Sequence, residues 1–220
     1  MTTYKWSNFL DKGLEVCIVF FDLKKAFDSV PHRALIDKME GIGLPPLIVR
    51  WIADYLTGRT QRVVLNGSSS SLLPVTSGVP QGSVLGPLLF LIYINGCANT
   101  TLNDGSDVTL YADDLSLFRA IQSPEDYDKL QEDINELAAW VTTSLLTFNA
   151  VKCKYLLLSR RRNQAEIPQL YLQESPLERV FKYKYLGVIF SADLSWSEQA
   201  YPIHLIKSQE TPWCLIQTVL

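Results

Sequence analysis

The chain has 220 residues, 47% of them hydrophobic and 20% charged, with a formal net charge of −3. That is enough apolar content for one domain, or one domain with an extension, while the acidic balance lacks the basic surplus by which a free-standing nucleic-acid binder neutralises phosphates. Basic groups gather locally instead, at Lys24-Lys25, Arg59 and Arg62, Lys152 and Lys154, and Arg160-Arg161-Arg162.

In chain order, Val16-Cys17-Ile18-Val19-Phe20-Phe21 is a continuous apolar run ending in Asp22, which reads as a buried strand delivering one carboxylate at its end. Pro31 opens a short helix through Met39, stopped near Gly41 and Gly43. Leu47, Ile48, Trp51, Ile52, Tyr55 and Leu56 then repeat at helical spacing before Gly58. Both helices are expected to pack on the sheet. Gln61–Leu65, Asn66-Gly67 and Ser68–Leu73 read as a β-hairpin, with Asn-Gly its strongest signal.

Next comes Ser77-Gly78-Val79-Pro80-Gln81-Gly82-Ser83-Val84-Leu85-Gly86-Pro87, a loop whose backbone can approach a ligand closely. The apolar run Leu88–Tyr93 after it suits a buried helix opening near Gly82. Gln81 offers both donor and acceptor groups at that helix mouth. Val108-Thr109-Leu110 and Leu115-Ser116-Leu117-Phe118 read as two strands of a tight hairpin with Asp113 and Asp114 at its bend. Ser123-Pro124-Glu125-Asp126 starts a helix with an apolar stripe of Leu130, Ile134, Leu137 and Val141, and strands are expected at 153–158, 167–172 and 184–190.

Carboxylates as close as Asp113 and Asp114 repel unless a cation sits between them. Hard oxygen ligands suit Mg²⁺, which takes one or two carboxylates and completes its shell with water and substrate phosphates. The alternative is that both are ordinary turn residues. If the Asp22 strand lies beside the hairpin, the three acids form a cluster able to hold two divalent ions for an in-line phosphoryl transfer; otherwise Asp22 caps its strand or starts the turn toward Pro31. His32 and His204 stand far apart, without a Ser or Cys partner at motif spacing. The four cysteines, at 17, 97, 153 and 214, have no paired metal spacing, so a reduced intracellular protein is expected, nucleus or cytoplasm undetermined. No signal peptide or long apolar segment is seen, and no membrane insertion is expected.

Taken together, these segments resemble the palm of reverse transcriptases, most closely those of non-LTR (LINE-type) retrotransposons. The resemblance runs from about Val16 to Trp196. It is carried by Phe21–His32, Gly58-Arg59-Thr60-Gln61, Ser77–Phe90, Tyr111-Ala112-Asp113-Asp114 and Tyr185-Leu186-Gly187-Val188. It implies an α+β polymerase right-hand palm, an antiparallel sheet with helices packed on one face, over 16–196, after a lead-in at 1–15 and before an atypical tail at 197–220. The implied activity is RNA-directed DNA polymerisation with two Mg²⁺ ions, Mn²⁺ being able to substitute. RNA template, DNA primer and deoxynucleoside triphosphates are the implied partners.

By the same resemblance Asp22, Asp113 and Asp114 are the metal-binding and catalytic acids. Phe27 is the aromatic gate against the sugar, Gln81 and Gly82 contact the incoming nucleotide and template, and Lys152 is the loop lysine near the phosphates. Tyr185–Val188 matches the primer-grip hairpin. The departures are a fingers segment missing almost entirely before Asp22 and a tail without the basic helices of a thumb. They lead to the expectation of a truncated copy with impaired activity. A non-catalytic palm remnant that binds nucleic acid or protein weakly is the other reading. An RNA-directed RNA polymerase ranks below both, because Phe27 at the sugar position favours deoxynucleotides.

Overall fold

The structure, a computed structural model, describes residues 2–161, 167–195 and 215–219. Trp196, His204, Cys214, Arg162 and the segment 197–214, on which several sequence readings fall, lie outside the described residues. Elements run in chain order as α1 (Thr2–Asp11), β1 (Glu15–Phe21), α2 (His32–Gly41), α3 (Pro46–Leu56), β2 (Thr60–Leu65), β3 (Ser68–Ser69) and β4 (Leu73–Pro74). There follow α4 (Leu85–Ile94), β5 (Ser106–Tyr111), β6 (Asp114–Ile121), α5 (Glu125–Thr143), β7 (Lys154–Leu158), β8 (Tyr171–Leu172) and β9 (Ser175–Pro176). Last are β10 (Glu178–Val180), β11 (Lys182–Tyr185), β12 (Val188–Ser191) and β13 (Leu215–Val219). They divide between two units, Met1–Lys24 with Asn95–Tyr201, and Lys25–Ile94 with Pro202–Leu220.

The first unit is built on a five-stranded sheet of order β10-β7-β1-β6-β5, antiparallel throughout except for the parallel β10–β7 pair. Every residue of β1 is buried, so both of its faces are covered. Val16, Ile18 and Phe20 pack with Trp6 and Leu10 of α1 and with Tyr185 and Ala192. The opposite face carries Arg119, cross-strand from Cys17, and Arg119 reaches Asp126 at the start of α5. The stripe Leu130, Ile134, Leu137 and Val141 of α5 is buried as its 3.6-residue spacing requires. Helix α1 was not legible in the sequence, because among its described side chains only Trp6 and Leu10, one turn apart, are buried.

Two strand readings need correction. The stretch 167–172 is extended into a ladder only at Tyr171–Leu172. The stretch 184–190 is not one strand; it breaks at Leu186-Gly187, both at positive φ, into the hairpin β11–β12. Positive φ at both turn residues is the geometry that matches the twist of two flanking strands.

In the second unit α2 packs against α3 and α4, and β2 pairs antiparallel with β3, β4 and β13. The Asn66-Gly67 turn joins β2 to β3 as its sequence signals. Helix α3 buries Val49, Ile52 and Leu56, while Leu47, Ile48 and Trp51 are exposed. The expected stripe was thus rotated, because α3 is apolar around most of its circumference and periodicity cannot choose a face. Helix α4 starts beyond Gly82 because Ser83 caps it: its Oγ accepts from the Gly86 amide (2.9 Å) and donates to the Pro80 carbonyl (2.7 Å). Among the described residues, no helix is long and apolar enough to cross a membrane.

Candidate active site

Strand β1 ends at Phe21 and hands the chain to Asp22, which is half-buried. Its neighbour β6 begins at Asp114. Phe21 pairs with Leu115, so Asp22 and Asp114 are each the next residue outward from the same cross-strand pair. Tyr111 pairs with Asp114 across a two-residue turn, Ala112-Asp113, in which Ala112 is held at φ 54°. A positive φ at a residue with a Cβ is strained by about 1–3 kcal/mol, and the strain sits beside the acids.

The Asp22 backbone is clasped by the segment after α5. Its carbonyl accepts from the Asn149 amide (2.7 Å) and its own amide donates to Cys153 Sγ (3.3 Å). Leu23 bridges to Phe148, and the Lys24 amide donates to the Thr147 carbonyl (2.8 Å). The same segment brings Lys152 Nζ to 3.7 Å from Asp22 Oδ2. An exposed ammonium at that distance is a weak, solvent-screened partner rather than a locked salt bridge.

Burial first, then the charges of Asp113 and Asp22, hold the Asp114 carboxyl above its ordinary value. Asp114 therefore feels the charges of both other acids. Among the described residues, however, no three His, Cys, Asp or Glu side chains form a ready-made ligand set. The donors present are carboxylate oxygens with mutual repulsion, which fits a hard divalent cation, and Mg²⁺ needs only one or two of them when phosphates complete the shell.

The hairpin β11–β12, whose Tyr185–Val188 segment the resemblance matches to a primer-grip hairpin, also carries Tyr183, which sequence reading passed over. Tyr183 stacks on Phe20 (ring centroids 4.1 Å apart), and burial, followed by the charges of Asp114, Cys153 and Asp22, pushes its phenol up. The phenol of Tyr185 is raised by burial, with Asp114 contributing, against a lowering hydrogen bond from Ser116. A polar Tyr alternating with Lys in 182–185 was the available signal.

The remaining candidates lie in the second unit. Phe27 is half-buried and stacks on Phe90 at 4.4 Å with 17° between planes. Gln81 is exposed and donates through Nε2 to Asp28 Oδ1 (2.7 Å). Gly82 faces open space at φ +76°. A cleft of about 720 Å³ is lined by Lys25, Asp28, Arg59, Thr76, Ser77 and Gln81, among others. Arginines 160 and 161 are engaged locally, with Asp11 (3.0 Å) and Glu15 (3.9 Å).

Comparison with known proteins shows the family of the chain. Residues 5–190 match the family described as reverse transcriptase (RNA-dependent DNA polymerase). The RNA-directed DNA polymerase from mobile element jockey of Drosophila funebris is 33% identical over 183 residues, 80% of this chain and 20% of that protein. The Pol polyprotein of the R2 retrotransposable element of Popillia japonica is 28% identical over 201 residues, 82% of this chain and 32% of that one. Telomerase of Candida tropicalis, solved with a fragment of telomeric RNA, shares the fold at a TM-score of 0.60 and 15% identity, over 88% of this chain and 32% of that one. The chain spans 20% of the length of the jockey relatives it matches. Reverse transcriptases generally use divalent metal ions. With the palm-like sheet and its row of acids on one strand end, the chain belongs to the reverse transcriptase family, alongside the enzymes of non-LTR retrotransposons.

Proposed function

We propose that this chain is the palm portion of an RNA-directed DNA polymerase that extends a DNA primer on an RNA template with deoxynucleoside triphosphates. Its palm spans 16–196, between the lead-in 1–15 and the tail 197–220. Asp22, Asp113 and Asp114 would hold two Mg²⁺ ions, for which Mn²⁺ can substitute. Bound there, the ions supply activation of the attacking hydroxyl and charge stabilisation of the leaving oxygen. The chain's own contribution is positioning. The clasp by Asn149 and Cys153 fixes Asp22, and the β5–β6 turn fixes Asp113 and Asp114. Lys152 directs a positive charge toward the phosphates, Phe27 presents its ring to the sugar, and Gln81 and Gly82 contact the nucleotide and template.

The observation that supports this reading is the electrostatic coupling of Asp114 to both Asp113 and Asp22 at the end of the central strands. An intracellular setting is part of the proposal, supported by Cys17 and Cys153, both buried and free of disulfides. The experiment is extension of a labelled DNA primer on RNA with deoxynucleotides at low salt. Weak synthesis that requires Mg²⁺ or Mn²⁺ and vanishes in Asp113→Asn is expected. Synthesis that survives Asp113→Asn would overturn the assignment.

A further inference from the structure

In the second unit, the segment 27–32 and the loop 77–81 are stitched together. The Val79 amide donates to the Phe27 carbonyl (2.8 Å), the Gly78 amide to the Val30 carbonyl (2.8 Å), and Ser77 Oγ to the Asp28 carbonyl (2.9 Å). The His32 ring nitrogen stands 2.8 Å from the Gly78 carbonyl oxygen. A Cβ on Gly78 would lie 2.7 Å from Asp28 Cα, so the loop backbone rests directly on Asp28. The loop shape is thus fixed by hydrogen bonds to main-chain groups that do not involve the Asp28 carboxylate.

That carboxylate has another partner, Gln81 Nε2, at 2.7 Å on the cleft wall. A glutamine amide has a donor end and an acceptor end of nearly equal size, and an exposed one turns freely between them. A carboxylate only accepts. Beside Asp28, the amino end of Gln81 is therefore drawn inward and the carbonyl oxygen is left facing the cleft.

We infer that Asp28 is a positioning residue that fixes the Gln81 side chain so that the cleft wall offers a hydrogen-bond acceptor. The inference rests on the polymerase reading and deepens it. Through Gln81 the wall selects a donor on the ligand, a hydroxyl or amine of a nucleotide's sugar or base, and not a phosphate oxygen. The positive groups Lys25 and Arg59 on the same cleft are left for the phosphates.

The test is side-chain amide relaxation of Gln81 by NMR in the free protein, with melting temperature and affinity for the Mg²⁺ complex of deoxyadenosine triphosphate measured in parallel. In Asp28→Ala the Gln81 amide order parameter is expected to fall into the flexible range, below about 0.6. The melting temperature should hold, and nucleotide affinity should weaken by up to about tenfold, because the Gln81 acceptor is no longer held in place for one neutral hydrogen bond to the ligand. The isosteric Asp28→Asn admits both amide orientations and should give exchange between two Gln81 states, while Asp28→Glu should restore the single locked state. Gln81 dynamics unchanged in Asp28→Ala would overturn the inference, as would a melting temperature that falls with no selective effect at Gln81. A wild-type chain that locks Gln81 yet binds no nucleotide would uphold the positioning role and sink the polymerase reading instead.

Discussion

Asp22 and Asp114 stand one residue outward from the Phe21–Leu115 pair, at the end where the central strands β1 and β6 stop pairing. Burial, then Asp113, then Asp22 raise the Asp114 carboxyl. Because its folded value is the higher one, protonation of Asp114 favours folding. Its contribution to stability is full below the ordinary value of 3.8 and is lost as pH rises through the raised folded value. Asp113→Asn removes one of the raising charges. Carboxyl NMR should then find Asp114 titrating at lower pH than in wild type, with stability above that range increased. An unchanged Asp114 titration would contradict the coupling.

Lys152 approaches Asp22 to 3.7 Å but is two-thirds exposed. Its replacement by Met should change stability by less than about 1 kcal/mol. The same change should split two affinities in opposite directions: divalent cations bind more tightly once a competing ammonium is gone, and nucleotide binds more weakly once a phosphate partner is gone. Calorimetric titration with Mg²⁺ alone and with Mg²⁺ and nucleotide reads both. Movement of the two in the same direction would place Lys152 outside the site.

Two glycines of one loop separate a packing role from a conformational one. Gly78→Ala puts a methyl 2.7 Å from the Asp28 backbone at φ +91°, whereas Gly82→Ala meets nothing within 4 Å at φ +76°. Gly78→Ala should cost about 3 kcal/mol or more, combining overpacking with strain, and Gly82→Ala about 1 kcal/mol from strain alone. Denaturant melts of the two variants check the order, and equal costs would refute the close approach at Gly78.

Arg119 is 5% exposed and its guanidinium meets Asp126 at 3.1 Å and Ser106 at 2.9 Å, tying β5 and β6 to α5. Burial works to raise the Asp126 carboxyl, but the Gln122 and Ser123 amides and Arg119 outweigh it and hold it below the ordinary value. Its stabilising contribution is present above the unfolded carboxylate value and is lost as pH falls through the lowered folded one. Arg119→Leu strands a carboxylate and should cost about 3–5 kcal/mol. A loss under about 1 kcal/mol would show that the network is not holding the hairpin.

The parts of this chain that were legible in its sequence are those where one local rule has one solution. The run Val16–Phe21 reads as a buried strand, Asn66-Gly67 as a tight turn, and Leu130–Val141 as one buried helix face, and each is so in the structure. The face of α3 was not legible, because Leu47, Ile48 and Trp51 are as apolar as the buried Val49, Ile52 and Leu56. The split of 184–190 was legible only through the resemblance of Tyr185–Val188 to a hairpin, since Leu186 itself gives no hint that it will adopt positive φ. The acids stand out in the sequence because they interrupt apolar runs. Cys153, Tyr183 and Asp28 were missed because their relation to the site depends on segments far apart in the chain.

The central claim is that Asp22, Asp113 and Asp114 together bind a divalent cation, and its most direct measurement is Mn²⁺ titration of the wild type and of Asp113→Asn, read by melting temperature and by paramagnetic broadening. A cation bound only by the folded state stabilises it by an amount set by occupancy, about 2.7 kcal/mol at one hundred times the dissociation constant. The account predicts a rise in melting temperature and broadening confined to residues near 22, 113 and 114 in the wild type, both lost in Asp113→Asn. A melting temperature that ignores Mn²⁺ in both proteins, or a rise that survives Asp113→Asn, would contradict it.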